Sequence, residues 1–431
     1  MLHTENQLRD HLFENYKESF HRLIRGRREP ISWAKEEFPP ISILLQQIVE
    51  TRINSIVAGL ESLVLSAREL RLERTGDSTT RIDLFGNSEC IGLTIIELKK
   101  SKQTERQAFT ELLAYSNHFC SIFPGLTEKA INTVLVAPME SRTVRDAYVQ
   151  EVLGNGKSSL ALVPREENSK INLEIYYPDA SYYQWFENNL LDDRSMYVVA
   201  IEFEEVKGWI DIDVENGGQI PEYSKSALNT ISSAISHRLE AQGFHSLVYA
   251  TQQWGEIGQI FPYPNAIYAV FVNPFASFRG SCHEGEIFGE TREGRVTEIQ
   301  AIYDQLDEHE KDLWLESMES GFHDFAIRAV KDEFDKCFLN RHGKSVRCEI
   351  SLPDWYGVKT SMISSVFTHN LDIFQTGLLR DIYSRYVSHM FEMKEGLYYH
   401  DDLPMYSYGT LRAFLPVWEI LRGLGVGDDH A

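Results

Sequence analysis

The chain has 431 residues, 43% of them hydrophobic and 25% charged, with a formal net charge of −22. That length can bury full cores in about two or three domains, while no run of eighteen apolar residues is present to span a bilayer and Met1-Leu2-His3-Thr4-Glu5-Asn6 lacks the pattern of a leader, so a cytoplasmic protein with no membrane partner is expected. The odd set Cys90, Cys120, Cys282, Cys337 and Cys348 contains no Cys-x-x-Cys pair, which argues against a disulfide framework or a zinc ribbon.

In chain order, residues 4–25 read as an amphipathic helix, with Leu8, Leu12, Tyr16, Phe20 and Leu23 at near-helical spacing and a break at Gly26. Pro39-Pro40 opens a second helix through about Leu65. Strands follow near 68–75, 81–86 and 91–98, joined by the turn signals Thr75-Gly76-Asp77-Ser78 and Gly86-Asn87-Ser88. A helix over about 104–119 leads to 131–137, which reads as a fully buried strand of the kind that pairs in parallel. Residues 142–153 read as a helix, and 158–163 and 171–177 as strands.

Beyond a boundary placed near 178–195, strands are expected at Met196–Glu204, Trp209–Val214, Ser246–Ala250 and Ala266–Val272, with a helix over about 221–243. From about 295 the pattern is mostly helical, near 293–306, 309–336, 360–393 and 409–422, with one short strand around Ser345–Ile350. The expected organisation is an N-terminal helical extension over 1–40, an α/β domain over 41–178, and an acidic α+β and helical region over 179–431.

The charge is unevenly spread. Residues 1–150 hold 19 Lys and Arg against 20 Asp and Glu, a net of −1, which leaves 23 against 44, or −21, for the remainder. The nearly balanced part also contains the basic cluster Arg22, Arg25, Arg27 and Arg28, and a second group of Lys99, Lys100, Lys102 and Arg106. A local positive surface for a polyanion is therefore compatible with an acidic chain.

The chemistry concentrates in Thr80-Arg81-Ile82-Asp83-Leu84-Phe85 and Leu93-Thr94-Ile95-Ile96-Glu97-Leu98-Lys99-Lys100. Side chains alternate along a strand, so Glu97 and Lys99 share one face and Leu98 points to the other. Two carboxylates at adjacent strand ends can hold a hard divalent cation, Mg²⁺ or Mn²⁺, with the Leu98 carbonyl as a further ligand. Lys99 could orient the attacking water or neutralise a phosphate. On the next helix Gln107, Glu111 and Tyr115 fall on one stripe that could line the same cleft. The plain alternative is a strand edge with an ordinary Glu–Lys pair, but the run Ile91–Ile96 is too apolar for an exposed edge, and buried charges are costly unless paired or metal-bound.

The order and spacing of these residues resemble the PD-(D/E)XK nuclease superfamily over residues 41–137, with Ile82-Asp83 where Pro-Asp is common. The Ile-Glu-Leu-Lys-Lys block and the following helix with Gln107 and Tyr115 are similar to its RecB-type and NucS-type branches. The resemblance implies a restriction-endonuclease-like αβββαβ core within an α/β fold, metal-dependent cleavage of DNA, and catalytic roles for Asp83, Glu97, Lys99 and Gln107. It also implies an acid on the first core helix, for which Glu50 is selected as a metal ligand, with Glu61 and Glu5 as alternatives. Lys100, Lys102, Arg106, Tyr115, Arg25, Arg27 and Arg28 are the expected nucleic-acid contacts. Nucleases of this kind commonly carry a second module in bacterial defence against foreign DNA. The acidic region would then serve recognition, control or assembly, through a protein partner or a second copy.

Other candidates are weaker. Gly154-Asn155-Gly156-Lys157-Ser158-Ser159 imitates a phosphate loop but has Glu151 where the first glycine belongs and precedes a strand. Cys282-His283-Glu284 and His400-Asp401-Asp402 have no partner at metal-ligand spacing. The aromatic run Tyr182-Tyr183-Gln184-Trp185-Phe186 lacks nearby cations and reads as core, whereas Trp33 beside the arginine cluster is better placed for a base. The rival class of function is a noncatalytic nucleic-acid-binding or scaffold protein of the same fold, and an RNA nuclease is the other enzyme reading.

Overall fold

The structure, a computed structural model, describes residues 4–33, 39–72, 80–102, 104–167, 170–184, 196–212, 220–252, 263–275, 282–283, 286–287, 295–311, 313–355, 358, 361–362, 365 and 369–381. The chain divides into two compact units, the first running to Trp185 and including the N-terminal helix. The fold is mixed α/β, and among the described residues no helix is long and apolar enough to cross a membrane.

In the first unit α1 (Glu5–Asn15) begins at a capping box, in which the Thr4 side chain accepts from Gln7 N–H and the Gln7 side chain accepts from Thr4 N–H. The helix ends well before residue 25. The Lys17 carbonyl accepts from Leu65 N–H at 2.9 Å, and a 3₁₀ turn over Phe20–Leu23 leads into the short β1 (Ile24–Arg25). Helix α2 (Ile41–Gly59) likewise stops short of Leu65. A Cβ at Gly59 would collide with the Ile91 side chain, and Leu63 and Leu65 already alternate inward in β2 (Leu63–Arg71).

Strands β2, β3 (Arg81–Ser88) and β4 (Gly92–Leu98) form an antiparallel meander, with Leu84 opposite Ile96. Helix α3 (Ala108–Ile122) then returns the chain to β5 (Asn132–Val136), which pairs with β4 in parallel and sets Glu97 opposite Leu135. The expected order of helix, three strands, helix and strand is thus observed. Helix α4 (Arg142–Val149) closes through a π turn, β6 (Ser159–Glu167) lies parallel to β5, and β7 (Lys170–Ile175) turns back on β6. The sheet order is β1-β7-β6-β5-β4-β3-β2. Strand β4 sits near its centre, which is why Ile95, Ile96 and Leu98 are fully buried.

The loop after β5 is held by an acid from the turn that follows β4. Glu105 is fully buried, and its two oxygens accept from Met139 N–H at 2.9 Å and Ser141 N–H at 2.6 Å, beside a left-handed Met139 at φ 58°. Replacing Glu105 with Ala should cost roughly 2–4 kcal/mol, because two buried donors lose a charged acceptor. Urea denaturation measures this, and a loss under about 0.5 kcal/mol would show that water or side chains replace the carboxylate.

The second unit contains a five-stranded antiparallel sheet in the order β13-β8-β10-β9-β14, built from β8 (Met196–Phe203), β9 (Ser246–Gln252), β10 (Asn265–Val272), β13 (Cys348–Ser351) and β14 (Ile373–Gln375). On one face α6 (Glu222–Ala241) and the helix Trp314–His342 pack Leu228, Ile231, Ile235, Phe334 and Phe338 against Phe203 and Val248. The other face carries Tyr249, Tyr268 and Val270 under Trp355, Val358 and Met362. Both faces of β9 and β10 are covered, in keeping with the apolar and aromatic runs Leu247–Ala250 and Ala266–Val272 at their centres.

Two expectations in this unit are corrected. The start of the supposed strand 209–214 is a turn, bridged from Val206 to Ile210, because Gly208 takes a positive φ and its N–H donates to the Asp211 carboxylate. The supposed helix 360–393 is interrupted by β14, whose Ile373 pairs opposite Tyr249 at the sheet edge. The turn 75–78, the helix 409–422, His400-Asp401-Asp402, Glu284, Trp185 and Phe186 lie outside the described residues.

Candidate active site

Asp83 on β3 and Glu97 on β4 come together because the two strands are neighbours and both residues lie near strand ends. Asp83 Oδ2 accepts from Leu98 N–H at 2.9 Å, which ties the backbone of the expected carbonyl ligand to the first acid. Lys99 follows β4 on the Glu97 face. Its Nζ donates to Glu97 Oε1 at 2.6 Å and lies 2.5 Å from Glu111 Oε2, the latter carried on α3. The Glu-x-Lys spacing therefore delivers both groups to one place, as strand alternation requires.

The electrostatics are those of acids largely withdrawn from water, Glu97 more completely than Asp83. Burial is the largest influence on Asp83 and raises its pKa, against the Leu98 N–H, Lys99 and Arg9. Glu97 is pushed up further, first by burial and then by the neighbouring Asp83, and its Oε2 has no hydrogen-bond partner among the described residues. Lys99 is held charged above its ordinary value, since Glu97 and Glu111 outweigh its own burial. Two close carboxylates with an orphaned oxygen are hard donors that fit Mg²⁺ or Mn²⁺. Among the described residues no cluster of three or more His, Cys, Asp or Glu is arranged to hold a metal. The oxygen donors this site offers such a cation are Asp83 and Glu97, with the Leu98 backbone beside Asp83.

The other expected residues separate into those near this centre and those that serve elsewhere. Lys100, Lys102, Arg106 and Gln107 are exposed on the segment that leaves β4. Tyr115 is buried, and its hydroxyl donates to the Arg81 carbonyl at 2.6 Å. It buttresses β3 from beneath and presents no ring for base stacking. Arg25 bonds the carbonyls of Arg22 and Ile24 on β1, the sheet edge opposite β2, while Arg27 is exposed nearby.

Glu50 is corrected as the acid of the first core helix. It is almost fully buried, its Oε1 paired with Arg28 and accepting from Gln46, and its Oε2 accepting from Ile31 N–H at 2.8 Å. Arg28 in turn lies 4.1 Å over the Tyr177 ring. These bonds clamp the segment before α2 onto that helix. Glu50→Gln should lower stability by roughly 2 kcal/mol and leave Mn²⁺ affinity unchanged; a folded variant with tenfold weaker Mn²⁺ binding by calorimetry would return Glu50 to the metal centre.

Glu61 is exposed, whereas Glu5 is the upstream acid whose charge acts on Asp83. Its Oε1 accepts from Lys100 N–H at 2.8 Å and from the Thr104 hydroxyl at 3.1 Å. Two further residues at this place are not among those expected from the sequence. Arg9 on α1 has Nη1 3.9 Å from Asp83 Oδ1, and Glu69 on β2 lies 3.0 Å from the same Nη1. A charged residue beside the buried stripe of Leu8 and Leu12 was the one available clue to Arg9.

The remaining motifs stay apart from chemistry. Lys157 of the glycine-rich turn is paired with Glu128 at 2.7 Å and Glu151 at 3.0 Å, Tyr183 is buried, and Cys282 and His283 lie on a two-residue strand. Trp33 is exposed. Compared with protein families, with curated proteins and with solved structures, the chain matches none.

Proposed function

We propose that this chain is a divalent-metal-dependent endonuclease acting on DNA. The observation that carries the reading is the convergence of Asp83, Glu97 and Lys99 on two adjacent strand ends, with Leu98 N–H fixing Asp83 and Glu97 Oε2 left without a partner. The element order α2-β2-β3-β4-α3-β5 and the resemblance of its motif to PD-(D/E)XK nucleases support a restriction-endonuclease-like core.

In this reading Asp83, Glu97 and the Leu98 carbonyl would hold the cation, which would supply a water of lowered pKa and offset charge on the phosphate. Lys99, kept protonated by its two acidic neighbours, orients that water or the scissile phosphate through its ammonium hydrogens. Glu111 fixes the direction of the lysine, and Glu5 fixes the backbone that follows it. In this reading the exposed Lys100, Lys102 and Arg106 meet the DNA backbone, and Gln107, exposed on the same segment, keeps its expected catalytic role.

The test is incubation of the purified full chain with linear, circular and single-stranded DNA, and with RNA, in Mg²⁺ or Mn²⁺ beside a chelator control. Metal-dependent DNA cleavage lost in Asp83→Asn and Lys99→Ala is the expected result. Cleavage that survives both substitutions would overturn the site. The pairing of Lys99 with two carboxylates favours a second reading, a noncatalytic nucleic-acid-binding protein, in which DNA is retained in gel shifts but never cut.

A further inference from the structure

Glu69 is a non-glycine residue with φ 48°, the left-handed region that costs an L side chain strain. It lies in β2 between Arg68, opposite Leu84, and Leu70, opposite Ile82, and therefore across from Asp83. Like charges facing each other across a strand pair repel. Between them stands the Arg9 guanidinium, with its side chain 9% exposed and its Nη1 accepted by Asn6 Oδ1 at 3.2 Å. That one nitrogen is 3.0 Å from Glu69 Oε1 and 3.9 Å from Asp83 Oδ1, so the ion pair is made with Glu69 and the contact with Asp83 falls outside hydrogen-bond range.

A buried guanidinium is little screened, and without Glu69 its nearest strong acceptor on the sheet would be Asp83. There it would occupy the oxygen that Leu98 leaves open, since Leu98 N–H bonds only Oδ2. We propose that Glu69 is a positioning residue, which draws the Arg9 guanidinium away from Asp83 Oδ1 and leaves that oxygen to a divalent cation. The inference rests on the metal-dependent reading above. It explains why a carboxylate occupies a backbone position that glycine or asparagine would hold with less strain.

Mn²⁺ binding to the full chain without DNA, read by titration calorimetry, tests this through a double-mutant cycle. Glu69→Gln should weaken Mn²⁺ binding about tenfold, because Arg9 then turns to Asp83. Arg9→Met should bind at least as tightly as the parent, and Arg9→Met with Glu69→Gln should recover the affinity of Arg9→Met. A merely structural role for Glu69 would not be rescued by removing Arg9. Arg9→Gln completes the same cycle should Arg9→Met not fold. Unchanged binding in Glu69→Gln, or no recovery in the double variant, overturns the inference while the metal reading stands. A parent chain that binds no Mn²⁺ overturns both, and is recognised by that measurement alone.

Discussion

Asp83→Asn should reduce DNA cleavage by about a thousandfold or more, and Lys99→Ala by a similar factor, with the folded state retained in Asp83→Asn. A thousandfold loss corresponds to about 4 kcal/mol of transition-state stabilisation, the scale of one essential electrostatic group in a water-poor site. The asparagine amide oxygen can still accept from Leu98 N–H, so the strand junction keeps its bond while one charged cation ligand is lost. Lys99→Ala removes the one cation among the described residues that is bonded to both Glu97 and Glu111, and leaves two acids facing each other. That variant should therefore also be less stable, and a Lys99→Arg control separates the effects: charge is kept, yet a planar fork cannot reproduce the ammonium geometry. Equal single-turnover rates for parent and Asp83→Asn would remove Asp83 from the chemistry.

The acid-and-lysine pattern was legible because strand alternation is short-ranged. Once Ile91–Leu98 is read as a strand, Glu97 and Lys99 must share a face, and the next strand in a meander must bring Asp83 near them. The buried strands were legible for a related reason, since Val134–Val136 and Ala266–Val272 are continuous apolar or aromatic runs and are covered on both faces. Helix ends were less legible. Helix α1 ends at Asn15 with Tyr16 as its cap, and the segment that follows is tied to β2 by a bond from Leu65 N–H to the Lys17 carbonyl, across a long sequence separation.

The same limit governs the upstream acid. Position on a helix does not tell which buried partner a carboxylate meets, and Glu50 meets Arg28 and the Ile31 amide instead of Asp83. Glu5 could be named only as an alternative, because its approach to Lys100 depends on how α1 docks. Glu69 is the extreme case: a left-handed backbone at a glutamate follows from no propensity, and its purpose is visible only with Arg9 in place. The charge contrast between the two parts of the chain was readable from composition, and with it the proposal that the acidic part serves control or a protein partner.

In chelator, the stability of the parent chain should fall as pH rises from about 5 to 9, and Glu97→Gln should flatten that slope. Burial, then the charge of Asp83, pushes the Glu97 carboxyl up to about 9, so the folded state keeps this proton at neutral pH. The unfolded chain releases it near the ordinary glutamate value of about 4.3. Between those values the unfolded state binds fewer protons than the folded state, and stability decreases with pH. The contribution is complete below the unfolded pKa and is lost as pH climbs through the folded one. Asp83, raised in the same direction by burial, adds to the slope at its acidic end. Urea denaturation at pH 5, 7 and 9 should show a loss of roughly 3 kcal/mol in the parent, a fraction of what a full shift of this size would supply. Glutamine cannot ionise and should lose far less. Parallel slopes for the two proteins would show that Glu97 is already ionised in the fold, held so by Lys99, and would make the Lys99–Glu97 pair a permanent ion pair with no proton to give up.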